Sequence, residues 1–224
     1  MSAIIRNLER FNRKERFHVV HMAVADDTWP SKDSFLLSDS FRERLGATLG
    51  LVVPPDAFAA MDYHLDWIYA ALYLALYKPD TEAPITQPPG NWLNSNQEDT
   101  DLLVAFDDST GCHLVLVEAK GHTSWENEQM ASKRDRLASV YAGAKLRDHP
   151  EVRLHYVLTS PRRPKKLKGC WPEWLDVGGS DGSCHWIEMP LEEHWRPMRC
   201  DRNGRASVDG TRWVVKKTPS SSAD

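Results

Sequence analysis

Three residues in this chain have the types and spacing to do phosphate chemistry. Asp101 opens the short apolar run Leu102-Leu103-Val104-Ala105-Phe106, and Glu118 and Lys120 close a second run that begins at His113. Glu118 and Lys120 are two apart, so on a strand their side chains leave the same face. A carboxylate and an ammonium following Leu114-Val115-Leu116-Val117 are expensive to bury unless they are paired or coordinated. Two carboxylates from different strands supply hard oxygen ligands for Mg²⁺ or Mn²⁺, with water and a phosphate oxygen filling the remaining positions. An ion held there lowers the pKa of a bound water and polarises a phosphodiester. Lys120 orients that water or neutralises the charge developing on phosphorus.

The elements that must position these groups follow from patterning. Asp107-Asp108-Ser109-Thr110-Gly111 supplies a turn between the two apolar runs, which makes them a hairpin. A helix is predicted over about 125–147, then a strand from Val152 to Leu158. Strand, helix, strand is a crossover unit, so the fold class is α/β, a mixed central β-sheet flanked by helices. Upstream, Pro54-Pro55-Asp56 opens a long predicted helix over 56–77, with Phe58, Met61, Leu65, Ile68, Tyr69, Leu72, Tyr73 and Leu76 as its apolar residues. A proline-rich loop is predicted over 78–97. The N-terminal stretch reads as a helix carrying Leu8, Phe11, Phe17, Val20 and Val24, then a second helix from Ser38 or Asp39 to Leu49, closed by Gly50. Beyond Ser160 the chain turns basic, with short strands expected at 185–189, 198–201 and 212–217 and a frayed tail.

Asp101…Glu118-Ala119-Lys120 resembles the D…(D/E)xK signature of the PD-(D/E)xK nuclease superfamily, whose members have the restriction endonuclease-like fold. The likeness covers about residues 56–160 and implies a core of αβββαβ type. Residues 1–55 become an N-terminal helical extension, and 161–224 a basic loop with short C-terminal strands. Thr100 stands where the motif often has proline, and many members lack that proline. The resemblance implies a Mg²⁺- or Mn²⁺-dependent nuclease with DNA as the expected substrate. Asp101 and Glu118 would hold the metal, and Lys120 would act on water. In this superfamily the helix before the hairpin often adds an acid; Asp62 and Asp66 are the candidates, and the residues alone leave the choice open. Gln129, on the following helix, resembles a supporting residue. Many double-strand cutters pair two sites, which makes a homodimer an expectation. The alternative is a non-catalytic module that binds nucleic acid or protein on the same fold.

Composition bounds these readings. The chain has 224 residues, 41% hydrophobic and 27% charged, with 12 Gly and 14 Pro, which excludes collagen-like, coiled-coil and disordered classes for its bulk. The net charge of −4 is unevenly spread. Residues 130–170 hold eleven Lys/Arg against three acids, whereas residues 79–128 hold ten acids against Lys120. An acidic cluster beside a basic one suits a metal-dependent enzyme acting on a polyanion. Lys133, Arg162, Arg163, Lys165 and Lys166 are the candidate backbone contacts. No apolar run approaches the roughly 20 residues that cross a bilayer, and Met1-Ser2-Ala3-Ile4-Ile5-Arg6 turns charged early; a cytoplasmic protein with no membrane partner is expected. Cys112, Cys170, Cys184 and Cys200 form no CxxC pair, so free thiols are favoured over zinc or disulfides. His64 is a weaker substrate candidate. Trp125 either packs at a helix entry or stacks on a base.

Overall fold

The computed structural model describes residues 1–11, 36–77, 98–121, 125, 127–164, 171–178 and 184–218. The predicted helical region 12–24, the loop 78–97, Lys165, Lys166, Cys170 and the tail lie outside them.

A six-stranded mixed sheet is the frame. Its strands are β1 (Phe58–His64), β2 (Asp99–Asp108), β3 (Gly111–Ala119), β4 (Val152–Ser160), β5 (Leu175–Asp176) and β6 (His185–Glu188). β1, β2 and β3 form an antiparallel meander, and β4 lies parallel to β3. The far edge of β4 is shared, with β5 pairing its first half and β6 its second. The predicted hairpin is present. Its turn is held by Asp108, whose Oδ1 accepts from the Thr110 amide at 2.6 Å and the Gly111 amide at 3.2 Å. Gly111 has φ 140°, and a Cβ there would meet the Glu151 carbonyl oxygen at 1.9 Å, so only glycine fits.

Helices cover both faces. On one side lie α1 (Ala3–Phe11), α3 (Leu65–Tyr77) and α4 (Asn127–Gly143), packed on Leu103, Leu114, Leu116, Leu154 and Tyr156. On the other lies α2 (Asp39–Leu49), packed on Val104, Phe106, Val115, Val117 and Val157. The strands of the hairpin are buried on both faces, which is why they read as near-continuous apolar runs. α2 matches its predicted bounds because both ends are written locally. The Ser38 side chain caps the Phe41 amide at 3.2 Å, and Gly50 takes the left-handed C-terminal position at φ 68°.

One predicted element is corrected. The single helix expected over 56–77 is a strand, β1, followed by the helix α3 from Leu65. Ala57, Phe58, Ala59 and Ala60 are all buried, and β1 pairs with β2 from Phe58↔Ala105 to His64↔Asp99. Cross-strand pairing overrides the helical preference of the alanines. The small residues also erased any two-residue alternation that would have announced a strand. Beyond the main sheet, β7 (His194–Cys200) and β8 (Arg212–Thr218) form a separate antiparallel ribbon. None of the described helices is long and apolar enough to cross a membrane.

Candidate active site

Glu118 and Lys120 sit at the C-terminal end of β3, where β3 and β4 run side by side. The Lys120 amide donates to the Thr159 carbonyl at 2.9 Å, carrying the ladder one step past the strand. Clefts at the carboxyl ends of parallel strands are where open α/β sheets place their ligands. Arg162 and Arg163, both exposed, follow the end of the neighbouring β4, so the basic stretch begins at the same edge.

Asp101 approaches the same point from β2. Its Oδ2 accepts from the Ala119 amide at 2.7 Å, which ties the carboxylate to the strand end between Glu118 and Lys120. The pairing of Leu102 with Val117 places Asp101 at the next register position, across from Glu118. Asp101 also lines a pocket of about 630 Å³ on the α2 side of the sheet, together with Asp62, Phe41, Met61, Leu102 and Met189. It therefore stands at the boundary of the two faces.

Glu118 is the most constrained of these groups. It is 3% exposed, and burial pushes its carboxyl up to about 7. The nearby negative charge of Asp101 pushes the same way, while Lys133 and, more weakly, Lys120 oppose it. The Lys133 ammonium from α4 bonds Glu118 Oε2 and also donates to the Asp99 carbonyl at 2.9 Å. Glu118 Oε1 is buried and has no hydrogen-bond partner among the described residues. Close by, the Tyr156 hydroxyl is likewise buried without a partner. Burial first, then the charges of Glu118 and Asp101, raise Tyr156 well above the tyrosine range, so it remains a neutral O–H donor.

Lys120 is half-buried, with its ammonium 5.9 Å from the centre of the Trp125 ring. Trp125 packs against the core and its Nε1 reaches the Ser160 hydroxyl at 3.5 Å, so packing accounts for it.

Two sequence expectations are revised by these placements. Asp62 and Asp66 do not share a helix face. Asp66 is in the first turn of α3, paired with the Arg136 guanidinium, and both side chains are largely buried. Asp62 is exposed on β1 with φ 47°, at the position facing Asp101 where the β1–β2 register skips a pair. Lys133, expected as a surface phosphate contact, turns inward to Glu118 instead, its side chain 12% exposed. Its identity as a partner of Glu118 was not visible because it depends on which side of α4 meets the strand end. His64 is held by Asp99 and packs edge-on to Trp67. Gln129 lies in α4. Among the described residues, no three His, Cys, Asp or Glu side chains close on one point tightly enough to cage a metal. Cys112, Cys184 and Cys200 are free thiols.

A second polar system lies about five residues back along β3, roughly 17 Å at strand rise. His113 Nε2 meets Asp108 Oδ1 at 3.1 Å, His113 Nδ1 meets His155 Nε2 at 2.9 Å, and His155 Nδ1 meets Asp176 Oδ2 at 2.7 Å. His185 Nε2 closes the row on Asp176 Oδ1 at 2.8 Å. Burial holds His113 below the usual histidine range. Nothing in the sequence announced this row, because its members are scattered from Asp108 to His185.

Compared with known protein families, curated proteins and solved structures, the chain matches none.

Proposed function

We propose that this protein is a divalent-metal-dependent nuclease acting on DNA, built on a restriction endonuclease-like core of the PD-(D/E)xK type. The observation that carries the proposal is the state of Glu118. Its carboxyl is buried, with its pKa raised to about 7, half satisfied by Lys133, and one oxygen has no partner among the described residues, with Asp101 nearby. Burying such a group serves no structural end that an apolar residue would not serve better. Strongly perturbed titratable groups gathered at a strand end mark sites of chemistry. The order of α3, the β2–β3 hairpin, α4 and parallel β4 supports the same reading, although β1 precedes α3 where an αβββαβ core would place it after the helix.

The donor set fits a Mg²⁺- or Mn²⁺-class ion. Such ions take one or two carboxylates and keep several waters, so they need no three-residue cage. Asp101 and the free oxygen of Glu118 would hold the ion, with Asp62 as the third acid on the Asp101 side. When bound, it would supply Lewis acidity toward phosphate and an acidified water. Lys120, two residues from Glu118, orients the attacking water and steadies the negative charge that grows on the phosphate oxygens. Lys133 keeps Glu118 ionised near neutral pH by offsetting part of its burial cost. Arg162 and Arg163 neutralise the strand on either side of the scissile bond, and Lys165, Lys166 and Gln129 are proposed to extend these roles.

The second reading is a non-catalytic binding module. The Lys133 ammonium favours it, since it already supplies Glu118 with a cation. A cleavage panel decides between them: supercoiled, linear, branched and single-stranded DNA, and RNA, each with Mg²⁺, Mn²⁺ and EDTA. Cleavage that needs metal and Asp101 supports the nuclease. Tight binding of the same substrates with no cleavage in either metal supports the module.

A further inference from the structure

We infer that the β7–β8 ribbon is a docking surface for single-stranded DNA. Antiparallel pairing fixes its faces: Trp195↔Lys217, Pro197↔Val215 and Arg199↔Trp213 are opposite one another, so these six side chains share one side. All six are exposed, Trp195 at 66% and Trp213 at 72%. The other side carries the half-buried Met198 and Val214 and the buried Cys200, together with the exposed Arg196, Arg212 and Lys216. The ribbon thus leaves its two tryptophans in solvent while the smaller Met198 and Val214 are half-buried, the reverse of what burial alone would select.

Charge names the occupant. The two strands hold five Lys/Arg (Arg196, Arg199, Arg212, Lys216 and Lys217) and no acid, in a chain whose net charge is −4. The connecting loop is neutral, Arg202 and Arg205 against Asp201 and Asp209. At the open end Glu193 pairs with Lys217 at 2.6 Å, both exposed. Two indoles about 13 Å apart along the ribbon, with Arg199 and Lys217 on their own side and Arg196, Arg212 and Lys216 on the other, offer stacking platforms for successive unpaired bases and counter-charges for the backbone. Duplex DNA hides its base faces, which selects the single strand. Lys217 lies 6.0 Å from the centre of the exposed Trp195 ring.

This inference rests on the nuclease reading for its choice of DNA, and its test is kept separate from cleavage. The full chain, in EDTA, is titrated against a fluorescein-labelled single strand of about 20 nucleotides, with the matching duplex and RNA as competitors. The double variant Trp195→Ala/Trp213→Ala is expected to weaken binding at least tenfold, and Trp195→Phe/Trp213→Phe to restore most of it. Arg199→Ser/Lys217→Ser is expected to lower the salt slope by about one to two. Circular dichroism and thermal melting confirm that each variant is folded. Unchanged affinity in the folded double Ala variant overturns the inference. So does preferential binding of wild type to phosphatidylserine vesicles, or conversion of a dimer to a monomer with DNA binding intact. Tryptophan-dependent binding without cleavage on any substrate keeps the ribbon and removes the nuclease. Asp101-dependent cleavage with KM unaltered by the double Ala variant does the opposite.

Discussion

Lys133 bonds one oxygen of the Glu118 carboxylate and leaves the other, Oε1, buried without a partner among the described residues. An ion pair made for stability would satisfy both oxygens. Half satisfaction keeps a charged group under tension at the end of β3, and its consequences are measurable.

The first consequence is a pH dependence of folding. Glu118 has a folded value of about 7 against 4.5 for a free carboxyl, so between those limits the folded state binds more protons than the unfolded one. Stability from this group is full below pH 4.5, falls as pH rises through 7, and the total loss is about 3 kcal/mol. Glu118→Gln is expected to remove that slope and raise stability at pH 8 by about 1–3 kcal/mol, while abolishing cleavage. Chemical denaturation of both proteins from pH 4.5 to 8 reads the difference.

Metal binding should reverse the same cost. With excess Mn²⁺ at pH 8, wild type is expected to gain about 2–3 kcal/mol, the linkage value near a hundredfold excess over Kd. Asp101→Asn and Glu118→Gln are each expected to lose most of that gain. A melting shift with Mn²⁺ that is equal in all three proteins would show binding elsewhere.

The two acids near β1 and α3 separate by behaviour. Asp66→Asn leaves the Arg136 guanidinium, with its side chain 6% exposed, without this carboxylate. The expected loss is about 3 kcal/mol, with the Mn²⁺ shift retained. Asp62→Asn is expected to cost under about 0.5 kcal/mol, since the residue is exposed and Asn tolerates the left-handed backbone. Its Mn²⁺ affinity and cleavage rate should both fall.

Lys133 is expected to set the pH dependence of cleavage, because its charge opposes the effect of burial on Glu118. On the nuclease reading the metal binds ionised Glu118, so at metal concentrations well below Kd the rate should rise through about pH 7 with unit slope. Lys133→Met removes the main opposing charge and should move that limb upward by about one unit. An unmoved limb would assign the pH dependence to another group.

Legibility of the sequence followed the range of the forces involved. The hairpin, α2, α4 and β4 were readable because their signals are local: an Asp-anchored turn, a Ser cap, a C-terminal glycine, runs of one period. β1 was not, because Ala59 and Ala60 carry a helical preference and only pairing with β2 makes them a strand. The approach of Asp101 to the end of β3 followed from the hairpin. The roles of Lys133, Tyr156 and Arg136 did not, since each depends on which helix face or strand neighbour packs beside it. The row from Asp108 to His185 is wholly tertiary.

The most direct test of the central claim is a time course of DNA cleavage at pH 8 in Mg²⁺, comparing wild type with Lys120→Ala and Asp101→Asn from identical preparations. Wild type should cut, EDTA should stop it, and both variants should be slower by at least about a hundredfold while melting as folded proteins. No cleavage by wild type in Mg²⁺ or Mn²⁺ on any DNA, or equal cleavage by Asp101→Asn, would contradict the account.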